Sequence, residues 1–350
     1  MTLKKTMNSI GWKYGLMGVL YILVEVVLGR VLMHFLPESL DKYQMYFTFA
    51  IMVFTVDIVC FPFVLLITHN MPKANIKKKN LGVGKFFLCV LMMYGLVLVG
   101  TIIGLTIHSI LTIPFSQQAD DGLVTMMLDS NFFIRVLVVG ILAPIFEELI
   151  FRKVLIDHVA PKGELVAVLA SGLMFGLFHG NFQQGFFAAF IGCLFAYIYL
   201  KTGKVIYTIL LHMFLNTVTS GITIEILKAL YKVIGINGEN IDAMQSVEFI
   251  EANPEMTSKI MIATGILLLW LFTLLGTMFA GLVIVITFSC VKTFKFKRKE
   301  GDESFGRQAL SLISSPGMWI FYVICMFLFG ITYLPPIVIT LVDAIKNLYR

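Results

Sequence analysis

Charge is scarce in this sequence. Only 14% of its 350 residues are Asp, Glu, Lys or Arg, against about 25% in an ordinary soluble domain. Apolar residues fill the gap: 58% of the chain, with 31 Phe, 19 Met and a mean hydropathy of +0.90. No soluble core of this length can hide so much apolar surface, which excludes a water-soluble globular protein and makes lipid the solvent for most of the chain. Cysteine is also sparse. Cys60, Cys89, Cys193, Cys290 and Cys325 lie scattered in apolar runs with no metal-like spacing, so they read as small buried hydrophobes and not as a disulfide framework or a zinc knuckle. Internal repeats, low-complexity tracts and a polar stretch long enough for a soluble domain are absent.

What is present is a series of long apolar runs. About 20 apolar residues span a bilayer, and on that ruler the sequence predicts an all-α, polytopic membrane bundle of about nine transmembrane helices. They fall near 11–36, 43–69, 82–113, 132–157, 164–179, 185–200, 204–222, 259–291 and 317–343. Lys4 and Lys5 precede the first run, which continues past the length of a signal-peptide core and offers no small-residue cleavage site, so it is expected to stay as a membrane helix. The 164–179 run is short enough to be partly re-entrant. Three blocks follow: N-terminal helices (1–131), a four-helix core (132–222), and a C-terminal block (223–350) with an amphipathic segment, an acidic external loop and two more spans.

Loop charge predicts the orientation. Lys73, Lys77, Lys78 and Lys79 share one loop, Lys201 and Lys204 another, and Lys292, Lys295, Lys297, Arg298 and Lys299 a third. The alternate loops carry Asp120, Asp121 and Asp129, and then Glu239, Asp242, Glu248, Glu251 and Glu255, without a base. The positive-inside rule puts the basic loops and the N-terminus in the cytoplasm of a cell-membrane protein, with the C-terminus outside; the basic tail at Lys346 and Arg350 runs against that last placement. The net charge of +6 then meets anionic lipid and requires no nucleic acid. Glu225 to Ile236 reads as an amphipathic interfacial helix.

The informative residues are the ionisable groups inside apolar runs, because each costs roughly 2.5–3.5 kcal/mol at a helix centre. Glu147 and Glu148 are adjacent, so a helix points them about 100° apart. Arg152 follows Glu148 by four residues, the favourable order for an ion pair. Glu147 is left without that partner and suits a general base; Pro144 just upstream loosens the helix around it. Phe175 and His179 share one helical face, and His212 and Asn216 share another. His34, His69, His108 and His158 lie near span ends or lack such company and read as structural. Glu25, Arg30 and Asp57 are expected to pair with other helices, and Arg135 to snorkel to the interface.

Glu147-Glu148-x-x-x-Arg152, Phe175-x-x-x-His179 and His212-x-x-x-Asn216, in this order on successive membrane helices, resemble the three motifs of the CAAX-protease and bacteriocin-processing (CPBP, or Abi) family of intramembrane proteases. The resemblance covers about residues 130–222. It implies Glu147 as the catalytic glutamate, His179 as the histidine that helps it polarise water, and His212 with Asn216 as oxyanion donors. Glu148, Arg152 and Phe175 fill supporting positions. Metal stays open: if zinc is used, Glu147, His179 and His212 would hold it, yet the His-Glu-x-x-His pattern of soluble metalloproteases is missing and Asn216 is a better oxyanion donor than zinc ligand. The implied activity is an endopeptidase acting on a peptide or membrane protein at the bilayer, with no cofactor or Zn²⁺. Two other classes compete: a non-catalytic immunity or scaffold protein of the same family, and a proton-coupled transporter, which would want matched polar halves. A prenylated substrate is not implied.

Overall fold

The computed structural model describes residues 2–37, 40, 43–112, 123–234, 254–291, 294–297 and 303–348, and those residues fold into helices without a strand. We number the helices α1 (3–34), α2 (Gln44–Thr68), α3 (Val83–Thr112), α4 (Leu123–Asp129), α5 (132–159), α6 (Glu164–Phe178), α7 (Phe182–Thr202), α8 (206–234), α9 (Pro254–Cys290), α10 (Phe305–Ser314) and α11 (Pro316–Leu348). Seven of them (α1, α2, α3, α7, α8, α9 and α11) contain a stretch long and apolar enough to cross a membrane. The other two expected spans differ for physical reasons. Helix α5 is long enough but carries Arg135, Glu147, Glu148, Arg152, Lys153 and Asp157. Helix α6 has only 15 residues, short of the roughly 20 a crossing needs.

The first span begins at Leu3, not near residue 11: Thr2 caps it by accepting from the Lys5 amide, so Lys4 and Lys5 lie inside the helix. The amphipathic segment is not a separate surface element. Ile224–Ile234 continues α8 through the wide π-type turns Thr217–Thr223 and packs on α9. The part of that segment beyond 234 lies outside the described residues, as do Asp120, Asp121, Glu239, Asp242, Glu248, Glu251, Lys292, Arg298, Lys299 and Arg350. Asp129 closes α4, and Glu255 opens α9 with Lys259 four residues on as its ion-pair partner.

Helices α6 and α7 form a tight antiparallel hairpin. A methyl group on Gly172 would lie 2.3 Å from Cys193 Sγ, and one on Gly176 only 2.4 Å from the Gly185 carbonyl oxygen. The close approach presses Phe175 into the core, where it is 1% exposed. Between the helices, Gly180 adopts φ +67°, a left-handed conformation that favours glycine. This turn is braced from α11: Thr332 Oγ1 donates to the Gly180 carbonyl, and Tyr333 Oη accepts the Phe182 amide. The other end of α6 has Gly163 as its cap, without a side chain to offer. Gln308 on α10 supplies the missing acceptor, its Oε1 taking the Val166 amide at 3.2 Å.

The basic connections gather at one end of the bundle. The Ala74 amide donates to the Asp157 carbonyl and the Lys79 amide to the Thr202 carbonyl. Lys204 reaches Asn80, and the Lys297 amide reaches Glu164. The N-terminal turn joins them through the Ser315 hydroxyl and the Lys4 carbonyl.

Candidate active site

Helix α5 carries the Glu pair and is wound unevenly. Wide π-type turns at Val136–Leu142 and Leu149–Val154 flank the regular stretch Ala143–Glu148. Pro144 has no amide hydrogen to close the ladder, which gives the first widening a local cause. Such turns are common at functional sites because they free backbone carbonyls and shift side chains around the helix. One freed carbonyl, Val139, is used at once: the Asn216 amide nitrogen on α8 donates to it at 2.9 Å. Asn216 thus ties α8 to α5 directly, in addition to the face it shares with His212.

Glu148 is fully buried and stands between two partners. Its Oε2 lies 3.0 Å from Arg152 Nε, the ion pair expected at that spacing. The angle is too poor for a true hydrogen bond, and the Arg152 Nη atoms have no acceptor among the described residues. Instead the guanidinium lies over the Phe175 ring, 4.2 Å from its centroid, and 5.5 Å from that of Phe195. A guanidinium sheds water readily and stacks well, so an aromatic face can hold it where an ammonium would be stranded. The second partner of Glu148 is His212, whose Nδ1 is 3.0 Å from Oε1. The two residues are 64 positions apart, and only the tertiary fold reveals the contact.

His212 faces both glutamates. Its Nε2 is 3.7 Å from Glu147 Oε2, while its ring is buried against Phe175 and Phe195. The order is therefore Arg152, Glu148, His212, Glu147, a chain of alternating charge and imidazole. Glu147 is the more open carboxylate, 27% exposed against 0% for Glu148. His179 caps the end of α6, with Nδ1 2.9 Å from the Phe175 carbonyl and its ring set edge-on against Phe175 at 4.9 Å. If Nδ1 carries the hydrogen and donates to that carbonyl, Nε2 is left as the acceptor. Phe175 touches Arg152, His179 and His212 at once, and both glutamates reach that group through His212, while the Asn216 side chain bonds the Val139 carbonyl. No three His, Cys, Asp or Glu side chains among the described residues are gathered into a metal-binding group as they stand.

Other buried charges depart from expectation. Arg135 does not snorkel. It is 0% exposed, with Nε donating to the Ser220 carbonyl, Nη1 to Met127 and Ser130, and Nη2 to Glu225. The start of α5, the end of α8 and α4 are thereby joined through one guanidinium. Arg30 lies exposed on the outer face of α1. Glu25 meets Thr55 of α2, as a polar contact between helices and not an ion pair. Asp57, 5% exposed, has no ion-pair or hydrogen-bond partner among the described residues. Of the structural histidines, His108 holds Tyr333 and Gln183, and His158 the Pro72 carbonyl. A wide apolar groove of about 800 Å³ between α8 and α9, lined by Phe132, Ile226, Leu230, Ile262 and Ile266, has no motif residue in its walls.

Comparison with known proteins singles out the same region. Residues 129–218 match the family described as type II CAAX prenyl endopeptidase, Rce1-like. The candidate membrane peptidase YdiL of Bacillus subtilis (strain 168) is 31% identical over 85 residues, 24% of this chain and 35% of YdiL. The match thus spans about a third of that relative's length. No solved structure matches. Every motif residue from Glu147 to Asn216 lies inside the matched segment, so the part of this multi-pass membrane protein that is similar to the Rce1-like CAAX prenyl endopeptidase family is the part that holds the candidate site.

Proposed function

We propose that the protein is an intramembrane endopeptidase in which Glu147 activates the attacking water. The observation that carries this reading is the pair of unequal carboxylates. Glu148 is sealed between Arg152 and His212, whereas Glu147 is partly open and faces His212 Nε2 at 3.7 Å. Hydrolysis of a peptide bond needs a base for the water, donors for the developing oxyanion, and a proton for the leaving amine. Glu147 takes the water proton and returns it to the leaving nitrogen. His179, through Nε2, helps orient the water, and His212 with Asn216 steadies the oxyanion side. His212 is held by Glu148, so the buried ion pair acts as its scaffold, and Phe175 fixes both imidazoles. Should zinc take part, Glu147, His179 and His212 would be its ligands and it would polarise the water, after side-chain movement to gather the three.

The substrate is a peptide or membrane protein presented from the bilayer. The protein resides in the cell membrane with its basic end and N-terminus in the cytoplasm. The four helices of 132–222 form the catalytic block between N-terminal and C-terminal helices. Processing of secreted peptides such as bacteriocins fits this chemistry as well as trimming of lipidated tails.

Purified protein incubated with candidate peptides tests the proposal, wild type beside Glu147→Gln. The amide keeps the shape and removes the base, so cleavage should fall by at least about 10²-fold. Equal product from both would remove Glu147 from this role. A chelator should leave the rate unchanged if water is activated by Glu147 alone; loss that zinc restores would establish a metal. A scaffold would release no product, and a proton-coupled transporter would show uptake in its place.

A further inference from the structure

Helix α1 lies outside the matched segment, yet one of its side chains reaches the widened turn that carries Arg152. Tyr14 is 0% exposed, and its hydroxyl donates to the Ile150 carbonyl of α5 at 2.7 Å, across 136 positions of chain. That carbonyl takes part in the widening itself, since it accepts the Leu155 amide five residues on in place of the usual four. The Phe151 carbonyl, the regular partner of the Leu155 amide, accepts the buried Ser171 hydroxyl of α6 at 2.8 Å. Hydroxyls in helices commonly turn back to their own helix, as those of Thr68 and Thr202 do here. Ser171 reaches across instead. Two hydroxyls from two helices thus serve the two carbonyls that directly precede Arg152.

The tyrosine ring reaches the same place by a second route. It packs on Phe151 with centroids 6.0 Å apart, and Phe151 packs on Phe175 at 5.3 Å. Phe175 is the ring beneath the Arg152 guanidinium and beside both imidazoles. Tyr14 is itself held in place. One turn earlier, Gly11 of α1 crosses α11 so closely that a methyl group on it would lie 2.4 Å from the Gly317 backbone.

We propose that Tyr14 is a positioning residue of the site, which with Ser171 holds the widened turn Leu149–Val154 so that Arg152 stays on Phe175 and Glu148 stays on His212. This rests on the peptidase reading and adds to it a residue from outside the matched segment. The hydroxyl acts through the α5 backbone, and the ring acts through Phe151. Without the hydroxyl, the Ile150 carbonyl loses its lateral donor and the turn relaxes toward regular helix. That change carries Arg152 around the helix and off the Phe175 ring. Glu148 follows its cation, His212 follows Glu148, and the 3.7 Å approach of His212 to Glu147 opens. The chemical step then slows while peptide binding is untouched, because the reacting groups and not the peptide have lost their register.

The experiment compares Tyr14→Phe, which removes only the hydroxyl, with Tyr322→Phe, both in the full chain in detergent. Tyr322 of α11 donates to the Leu312 carbonyl of α10 at 2.9 Å, a bond of the same kind that involves no residue of α5. Tyr14→Phe should lower kcat about tenfold with KM unchanged, less than the roughly 10²-fold loss expected of a full 1 Å misplacement. Tyr322→Phe should leave both constants as they are. A second readout requires no turnover: the imidazole nitrogen NMR resonances of His212, identified by their loss in His212→Gln. They should shift in Tyr14→Phe and stay in place in Tyr322→Phe, because Nδ1 is bonded to Glu148. Wild-type kcat in Tyr14→Phe, a kcat loss shared by Tyr322→Phe, or an unmoved His212 resonance overturns the proposal. Should Tyr14→Phe fail to fold, Ser171→Ala carries the same test: it should show the same kcat loss at constant KM and the same shift, and wild-type values in both readouts overturn the proposal. A shifted His212 resonance in a protein that cleaves no peptide even as wild type would keep the positioning role and overturn the peptidase reading.

Discussion

At the residue scale, the two adjacent glutamates have opposite fates because one finds a cation and an imidazole and the other only the imidazole. Glu148 and Arg152 are both fully buried, so breaking either leaves a charge stranded. Arg152→Ala should cost roughly 3–5 kcal/mol, as for a buried pair that loses one member. The checks are the amount of folded protein in the membrane and its thermal melting. Glu148→Gln should fail in the same way and also release His212. His212→Ala and Asn216→Ala separate from one another. Both should lower turnover, by about 10²-fold or more if they serve the oxyanion. Asn216→Ala also strips the donor from the Val139 carbonyl and should lose a further ~1–3 kcal/mol of stability. Turnover and melting measured on both variants would show this, and equal melting would mean that the Val139 contact carries no weight. Glu148 with Arg152 was legible in the sequence because i and i+4 meet on any helix. The bond from His212 to Glu148 was not, since nothing local relates residues 64 apart.

At the element scale, two devices hold the site and neither uses a motif residue. Gln308 caps α6 from a distant helix because Gly163 has nothing to cap with. Gln308→Leu should cost about 1 kcal/mol, the usual worth of a helix cap. It should loosen the Glu164 end of α6 more than the His179 end, as amide hydrogen exchange would reveal. Arg135 is the second device. Its five hydrogen bonds join α4, α5 and α8. Arg135→Leu would take the side-chain donor from the Ser220 carbonyl and the guanidinium from Glu225, while Ser130 Oγ and Lys228 Nζ still serve the Met127 and Ser130 carbonyls, so the loss should be ~1–3 kcal/mol and the folded yield should drop. Unchanged yield would mean that other donors replace it. An Arg near a helix start ordinarily reaches for water, and that rule misplaced it here because α4 and Glu225 close over it.

At the scale of the whole molecule, the basic loops gather at one end of the bundle and the acidic start of α9 belongs to the other. With the N-terminus cytoplasmic, single cysteines placed at Lys77 and Lys295 should resist a membrane-impermeant thiol reagent in intact cells and react after permeabilisation. Rapid labelling from outside would invert the orientation. The helical bundle, its seven long apolar helices and the polar block in the middle were legible because lipid imposes them: a chain this poor in charge must satisfy its backbone internally. The sequence by itself determined the helix-based architecture, the ion pair at i and i+4, and the three motifs in their order, since all depend on composition or on helical period. Tertiary structure alone decided that His212 would stand between the two glutamates, that Arg135 would be sealed in, and that Phe61 of α2 would pack on Phe146, the neighbour of Glu147. Those contacts arise between helices far apart in the chain. Their geometry follows from how glycines, aromatic rings and widened turns let the helices approach, and no local periodicity records it.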